Sequence, residues 1–175
     1  MKKFNLSEQA VGIAALVTAV VAVVIGIAEM QVNREYARLS VEPYIDLYNS
    51  NAEGYSFNIR NSGLGPARVK GVQVKVDGKV MQYWDQVATV ITGVASDNVT
   101  VGVSDTWVGL QIQAGDVVKA VNINDEDYAR KVHENSSKFS YAMCYCSIYD
   151  ECWVKDKNNP PVPVDECPPY LRAGF

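Results

Sequence analysis

The chain has 175 residues, a formal net charge of -4 and a single histidine, His133. Its length corresponds to about one domain, and its 48% hydrophobic and 21% charged residues are typical of folded proteins rather than disordered or fibrous ones. The mild acidity argues against nucleic-acid binding, which usually requires a basic surface, and one histidine excludes sites that need several imidazoles.

A continuous apolar segment near the N-terminus, residues 10–29, predicts a transmembrane helix. No charged residue occurs from Ala10 to Ala28, and at 1.5 Å per residue this run comes close to the ~30 Å hydrocarbon core of a bilayer. In lipid a single segment must be helical, because every backbone polar group has to be satisfied internally. A cleaved signal peptide would have a shorter apolar region, and a soluble core helix would carry a polar stripe. The sequence therefore favours a retained anchor in contact with membrane lipid.

The orientation of this anchor depends on the cysteines. Lys2 and Lys3 precede the helix and Arg34 and Arg38 follow it, so the positive charges on its two sides are nearly balanced. All four cysteines lie late in the chain, and an even number suits an oxidising compartment. We therefore expect a single-pass protein of the inner (cytoplasmic) membrane, with residues 1–9 in the cytoplasm and the remainder periplasmic or extracellular.

Beyond the anchor, residues 30–42 predict a helical stalk. Helical spacing continues from Gln31 to Leu39, and the helix is expected to stop before Ser40-Val41-Glu42-Pro43, because Pro43 disfavours helix at Glu42. Residues 43–157 then show short runs of alternating apolar and polar residues, which are typical of β-strands. Asp77-Gly78 is a strong hairpin signal. That hairpin lies between Val76 and Val80. Strands are expected at residues 44–48, 56–60, 68–76, 99–103, 108–112, 117–123 and 139–148, with residues 152–154 as a return strand. Two segments look helical, residues 82–91 and 125–134.

About eight short strands with turn signals between them predict a mainly β fold. The expected architecture is an Ig-like antiparallel β-sandwich over residues 43–157, with one or two short helices. The last segment, residues 158–175, is rich in proline and predicts an extended tail rather than a packed element.

One turn is specific enough to suggest a family. Asn61-Ser62-Gly63-Leu64-Gly65-Pro66-Ala67 follows an expected strand, and Asn61, Gly63, Gly65 and Pro66 predict a tight connection, because the glycines permit positive φ and the proline fixes the exit direction. A phosphate-binding loop would need a following helix, whereas the next residues are strand-like. This N-x-G-x-G-P-A turn, preceded by an anchor and Val41-Glu42-Pro43, resembles that of uncharacterised bacterial single-pass membrane-anchored proteins with an Ig-like domain. The resemblance implies the sandwich fold and supplies no catalytic residues.

The four cysteines predict two disulfides. Cys144 and Cys146 would point to one face of a strand, and a turn around Tyr149 would bring Cys152 opposite Cys146. Cys167 would then bond Cys144 and attach the tail to the sheet. A metal site and free redox thiols remain alternatives, although C-x-C matches neither the paired spacing of zinc ligands nor the C-x-x-C of thioredoxin-like sites.

Aromatic residues accompany the cysteines: Tyr141, Tyr145, Tyr149 and Trp153. The three tyrosines have strand parity opposite to that of the cysteines, which would place them together on one face. Such a stripe would suit a recognition surface, since tyrosine and tryptophan are favoured at interfaces, and core packing explains it equally well.

The sequence contains no set of residues that predicts catalysis. Its acidic residues are scattered, and His133 lies alone on an expected helix, so we expect neither an enzyme nor a bound cofactor. The favoured function is an extracytoplasmic interaction module, an accessory or structural subunit that binds a membrane protein or a second copy of the chain. The alternative is a sensor domain for a small ligand or a metal. A concave apolar pocket would favour the sensor, and a flat aromatic patch would favour the subunit.

Overall fold

The structure, a computed structural model, describes residues 6–94, 101–103 and 108–171. Lys2, Lys3 and the expected strand residue Val99 lie outside the described residues. The chain divides after Ser40 into two units, a helical one and one made of strands and short helices.

The first unit consists of one helix, α1 (Leu6–Leu39). This helix continues past the apolar segment, so the expected anchor and the helical part of the stalk form one element, which ends at Leu39, where the helical spacing in the sequence ends. Thr18 is the polar residue inside the apolar run, and its hydroxyl donates a 2.8 Å hydrogen bond to the Ala14 carbonyl. That bond within the helix satisfies the hydroxyl without any partner outside it.

The second unit, Val41–Phe175, contains two antiparallel sheets and two α-helices within its described residues. In chain order these elements are β1 (Ile45–Ser50), β2 (Tyr55–Asn61), β3 (Ala67–Val76), β4 (Lys79–Met81), α2 (Trp84–Thr92), β5 (Val101–Val103), β6 (Gln111–Ile112), β7 (Val117–Ile123), α3 (Glu126–Glu134), β8 (Phe139–Cys146), β9 (Cys152–Asp156) and β10 (Val162–Val164). The four-stranded sheet has the order β1-β2-β7-β5. The six-stranded sheet has the order β10-β9-β8-β3-β4, and β6 pairs with β3.

Two local patterns in the sequence correspond to a hairpin turn and a helix cap in the structure. Asp77 and Gly78 have φ values of 47° and 80° and connect β3 to β4, with Val76 paired to Lys79, so the hairpin prediction is confirmed. Asp125 begins α3 by accepting a 2.8 Å hydrogen bond from the Tyr128 amide, as a helix-capping residue does.

Side chains from both sheets and both short helices form one hydrophobic cluster, which we call the main core. Phe57 on β2 is fully buried there. Its ring centroid lies 5.0 Å from that of Tyr141, 5.2 Å from that of Phe139 and 5.9 Å from that of Trp84 on α2. The aromatic rings therefore join the two sheets and α2.

A second, smaller cluster lies on the opposite face of β8, and we call it the cysteine cluster. Its buried members are Cys144, Cys146, Cys167 and Leu171. Because side chains alternate along a strand, Tyr141, Met143 and Tyr145 enter the main core while Cys144 and Cys146 enter the cysteine cluster.

The expectation of an unpacked tail at residues 158–175 is wrong. β10 pairs with β9, and Leu171 is completely buried in a 3-10 turn (Pro169–Leu171). Proline does not prevent this pairing, because Pro163 lies on an edge strand whose outer backbone groups need no partner in the sheet. Gly71 provides the room, since a Cβ atom there would lie 2.2 Å from the Leu171 carbonyl oxygen.

Candidate functional site

The helix α1 is the first candidate functional element. Its segment Gln9–Leu39, 31 residues long, is apolar enough to cross a membrane, and none of its most apolar window is buried. A signal sequence near an N-terminus meets the same criteria of length and composition. α1 is therefore able to serve as an anchor or as a signal sequence.

The Asn61 side chain organises the turn that the sequence singled out. Its carbonyl oxygen accepts hydrogen bonds from the amides of Tyr44 (3.2 Å) and Gly63 (3.1 Å). Its amide nitrogen donates to the carbonyls of Gly65 (2.8 Å) and Ile112 (2.9 Å). A buried primary amide has two donors and two acceptor positions, and all of them are used here. Asn61 thus joins the turn to the start of β1 and to β6.

The two glycines of this turn have a different role from the predicted one. Gly63 and Gly65 are not among the residues with positive φ. Instead, a Cβ atom on Gly63 would lie 2.3 Å from the Tyr44 nitrogen, and one on Gly65 would lie 1.9 Å from the Val41 carbonyl oxygen. The turn therefore requires glycine because the first residues of the second unit pass directly against it. Pro66 immediately precedes β3, which fits its predicted role at the exit.

The structure contains both disulfides that the sequence favours. Cys146 and Cys152 are directly opposite each other in the β8–β9 hairpin, and they are bonded. Cys144 is bonded to Cys167, which attaches the C-terminal segment to β8. None of the cysteines is free.

The two disulfides lie side by side. The sulfur atoms of Cys146, Cys152 and Cys167 are all within 4.8 Å of one another. These three cysteines also line a surface concavity of about 310 Å³, together with Lys70, Asp150, Asp165 and Glu166. The cysteine cluster therefore brings two disulfides and several charged side chains to one accessible place.

The turn between β8 and β9 is held at several points. Its backbone forms hydrogen bonds from the Ser147 amide to the Glu151 carbonyl (2.8 Å) and from the Asp150 amide to the Ser147 carbonyl (3.2 Å). Arg68 on β3 donates from Nη2 to the Ser147 carbonyl (2.6 Å) and to Asp150 Oδ1 (2.7 Å). Together with the Cys146–Cys152 bond, these contacts fix a short loop.

The interaction surface expected from Tyr141, Tyr145, Tyr149 and Trp153 is not present as a surface. Tyr141 and Tyr145 are buried in the main core, because their strand parity turns them away from the cysteines and toward the other sheet. Trp153 is partly buried and stacks on Tyr145 with ring centroids 5.8 Å apart. Tyr149 alone is half exposed, because it lies in the turn rather than in the strand. Core packing, the other interpretation of the stripe, applies to the first two tyrosines.

The hydroxyl of Tyr145 has a structural function inside the unit. Its oxygen accepts a 3.3 Å hydrogen bond from the Ile45 amide at the start of β1. Burial raises the pKa of this phenol, partly offset by the Ile45 amide, so the hydroxyl stays neutral. The residue therefore connects the two sheets by both packing and a hydrogen bond.

Lys157 is an unusual cation that the sequence did not single out. Its ammonium group donates hydrogen bonds to the carbonyls of Ser136 (2.7 Å) and Phe139 (3.5 Å). It also lies 4.0 Å from the centroid of the Phe139 ring, a cation–π geometry. Burial lowers the pKa of Lys157 to about 8. This side chain ties the end of β9 to the start of β8.

Two further cavities bear on the sensor alternative. The apolar cavity between α2, α3 and the sheets has a volume of about 10 Å³, which is about the space one water molecule needs. A polar concavity of about 310 Å³ lies beside α3 and includes His133, Glu126, Arg130 and Asn51. Within the described part of the chain, the apolar cavity is thus too small for an organic ligand.

Comparison with known proteins gives a family but no function. A model of a domain of unknown function, DUF8453, matches residues 10–137. The chain belongs to this family. No curated protein and no solved structure is significantly similar to the chain. The DUF8453 match includes α1 from Ala10 onward and the Asn61 turn, and it ends before β8 and the four cysteines.

The main features that sequence reasoning missed in this DUF8453 member are long-range contacts. Arg68 reaches the β8–β9 turn, and Lys157 reaches the carbonyls of Ser136 and Phe139 at the start of β8. No local sequence pattern indicates either contact. Gly71 did carry a signal, because an isolated glycine within a strand indicates that another backbone approaches closely. That signal pointed to the packed C-terminal segment.

Proposed function

We propose that this chain is a single-pass protein of the inner (cytoplasmic) membrane, whose second unit is an Ig-like β-sandwich outside the cytoplasm. The unit acts as an interaction module, an accessory or structural subunit of an envelope or membrane protein complex. The observation that carries this proposal is α1, an apolar helix whose most apolar window has no buried residue and which precedes a separate disulfide-bonded β unit.

The exposure of α1 supports a retained membrane anchor. Ten large apolar side chains between Val11 and Ile27 are each at least half exposed. Transferring so many side chains from water to hydrocarbon is favourable by on the order of 20 kcal/mol. The helix also extends without interruption to Leu39, beyond the apolar segment, as a retained span does.

The second unit supports the sandwich and the extracytoplasmic location. Two antiparallel sheets contribute side chains to one core, as in sandwich folds, and the resemblance of the Asn61 turn to those of membrane-anchored Ig-like proteins agrees with this. Two disulfides favour an oxidising compartment.

The β8–β9 turn is the proposed contact with a partner protein. Ile148 and Tyr149 at its tip are 45% and 50% exposed. Because the Cys146–Cys152 bond and Arg68 hold this loop, little conformational entropy would be lost when a partner binds. Tyrosine is one of the residue types enriched at binding hot spots, and Ile148 adds exposed apolar surface beside Tyr149.

A protease experiment tests the topology. A membrane-impermeant protease applied to intact spheroplasts should digest the chain beyond Arg38 and leave a soluble cytoplasmic marker intact. Mass spectrometry of the protected fragment should find α1 attached to its original N-terminus. Protection of the second unit would overturn the orientation, and a chain that begins after α1 in untreated spheroplasts would identify a cleaved signal sequence.

A pair of matched double variants tests the interaction. Full-length protein carrying Ile148→Ser and Tyr149→Ser should lose the proteins that cross-link to the wild type in membranes. The control carries Val80→Ser and Tyr83→Ser, which alter an aliphatic and aromatic pair that is slightly more exposed (56% and 62%), in β4 and just after it. The control should retain the cross-linked proteins. Equal recovery from both variants would exclude the β8–β9 turn as the contact.

A further inference from the structure

The arrangement of sulfur atoms in the cysteine cluster goes beyond what two independent disulfides require. Cys167 is bonded to Cys144, yet its sulfur lies within 4.8 Å of the sulfurs of both Cys146 and Cys152. Cys144 itself lies outside this group of three. Cys167 is therefore the sulfur at which one disulfide meets the other.

We propose that the two disulfides form one thiol–disulfide exchange site, in which Cys167 changes partner from Cys144 to Cys146 or Cys152. The co-reactant that starts the exchange is an external dithiol, either a small molecule or the dithiol of an oxidoreductase. This inference concerns a chemical activity and does not depend on the proposed binding of a partner protein.

Access to the site determines where the dithiol reacts first. Cys144, Cys146 and Cys167 are 0%, 2% and 6% exposed, whereas Cys152 is partly exposed. Cys152 also lines the concavity of about 310 Å³ beside the cluster, which leaves room for an approaching thiolate. The Cys146–Cys152 bond is thus the entry point, because Cys152 is the most exposed of the four cysteines.

The first step reduces the outer disulfide. A thiolate of the external dithiol attacks Cys152 Sγ, the Cys146–Cys152 bond breaks, and Cys146 leaves as a thiolate. The second thiol of the reductant loses its proton and attacks the reductant sulfur that is bonded to Cys152. Cys152 leaves as a thiolate, and the reductant becomes a disulfide. Two electrons and two protons pass to the protein, and Cys146 and Cys152 become thiols.

The second step is an internal exchange with no net oxidation or reduction. The thiolate of Cys146 or Cys152 attacks Cys167 Sγ and forms a new disulfide. The Cys144–Cys167 bond breaks, and Cys144 takes up the proton that the attacking thiol lost. The C-terminal segment then remains covalently attached, but to a different cysteine of the β8–β9 hairpin.

A pair of single variants of the full chain in detergent tests this exchange. In Cys144→Ser the thiol of Cys167 remains beside the Cys146–Cys152 bond, so we expect alkylation to label Cys146 and Cys152 as well as Cys167. In Cys167→Ser the remaining thiol is Cys144, outside the group of three sulfurs, so the label should stay on Cys144. The bonds are read by peptic digestion without reduction and mass spectrometry, because exchange stops at acid pH.

The outcomes of the variant experiment are distinct. Label confined to Cys167 in Cys144→Ser would overturn the exchange site. Equal loss of the Cys146–Cys152 bond in both variants would also overturn it, because it would indicate general scrambling rather than exchange at Cys167.

A second measurement uses the wild-type chain and avoids any effect of a substitution on folding. The folded protein is treated with one equivalent of dithiothreitol, quenched with acid over time and alkylated. We expect molecules in which Cys144 is alkylated while Cys167 is still in a disulfide, with Cys146 or Cys152. The proposal would be contradicted if, at all times, each of the pairs Cys144–Cys167 and Cys146–Cys152 were found either bonded or with both of its thiols alkylated.

Discussion

The main core and the cysteine cluster occupy opposite faces of the same strand, β8, and are stabilised in different ways. Among the described residues the main core contains 24 buried hydrophobic residues from both sheets and both short helices, whereas the cysteine cluster contains four. A large apolar area stabilises the main core without covalent bonds. The cysteine cluster buries little apolar area, and the Cys144–Cys167 disulfide attaches the C-terminal segment to β8 while the Cys146–Cys152 disulfide closes the β8–β9 hairpin.

The largest expected effect follows from truncating the centre of the main core. Phe57→Ala removes a fully buried ring that contacts three other aromatic residues, and it should lower the free energy of unfolding by about 4 kcal/mol. Urea unfolding of the full chain in detergent micelles, followed by tryptophan fluorescence, measures it. Val80→Ala on exposed β4 is the control and should change stability by less than about 0.5 kcal/mol. Similar losses in both variants would argue against a single main core.

The next effect comes from removing each disulfide completely, so that no free thiol remains to exchange. Cys144→Ser with Cys167→Ser opens a loop with a sequence separation of 23 and should cost about 3 kcal/mol. Cys146→Ser with Cys152→Ser opens one with a separation of 6 and should cost about 2 kcal/mol.

The first of these double variants should also release the C-terminal segment, while the main core stays folded. Limited proteolysis after β9 reports that release, and near-ultraviolet circular dichroism reports the aromatic core. Loss of the aromatic signal in this variant would show that the two regions are not separable.

An effect similar to that of losing the Cys146–Cys152 bond is expected where the C-terminal segment crosses the six-stranded sheet. Gly71→Ala would place a Cβ atom 2.2 Å from the Leu171 carbonyl oxygen, so the segment must shift, at a cost of about 2 kcal/mol. Gly102→Ala on β5 is the matched control, because its new Cβ would meet the nearest atom at an ordinary 3.5 Å. Amide hydrogen exchange at residues 162–171 should increase in Gly71→Ala and not in Gly102→Ala. Unchanged exchange in Gly71→Ala would contradict the close packing.

The two regions also differ in how well the sequence predicts them. Alternation along β8 predicts which residues share a face, and turn signals predict the Asp77–Gly78 hairpin, because both patterns are local. The same reasoning brought Cys146 opposite Cys152. It did not determine which face of β8 would be buried against the other sheet, so the exposure of Tyr141 and Tyr145 remained open.

Contacts between distant segments account for the rest. A proline-rich composition predicts an extended segment, and the C-terminal segment is indeed extended at β10, but composition does not reveal that β9 and Gly71 provide its partner surface. Likewise, glycine in a turn indicates either positive φ or close approach, and only the position of residues 41–44 shows that close approach applies to Gly63 and Gly65.

The smallest expected effect is a dependence of stability on pH that arises where the main core meets β9. Burial lowers the pKa of Lys157 from 10.5 to about 8, so between these pH values the unfolded chain binds a proton that the folded chain has released. The free energy of unfolding should therefore rise as pH increases through this window. Because Lys157 is only half buried, solvent screening limits the rise to about 1 kcal/mol.

Lys157→Arg is the control for this pH effect, because an arginine stays charged throughout the window. The measurement compares the urea midpoints of the wild type and Lys157→Arg from about pH 8 to about pH 9.5, below the range where tyrosines ordinarily ionise. The midpoint difference between the two proteins should change steadily with pH in favour of the wild type. A constant difference would mean that the Lys157 amine keeps its proton, and that the carbonyls of Ser136 and Phe139 with the Phe139 ring compensate for its burial.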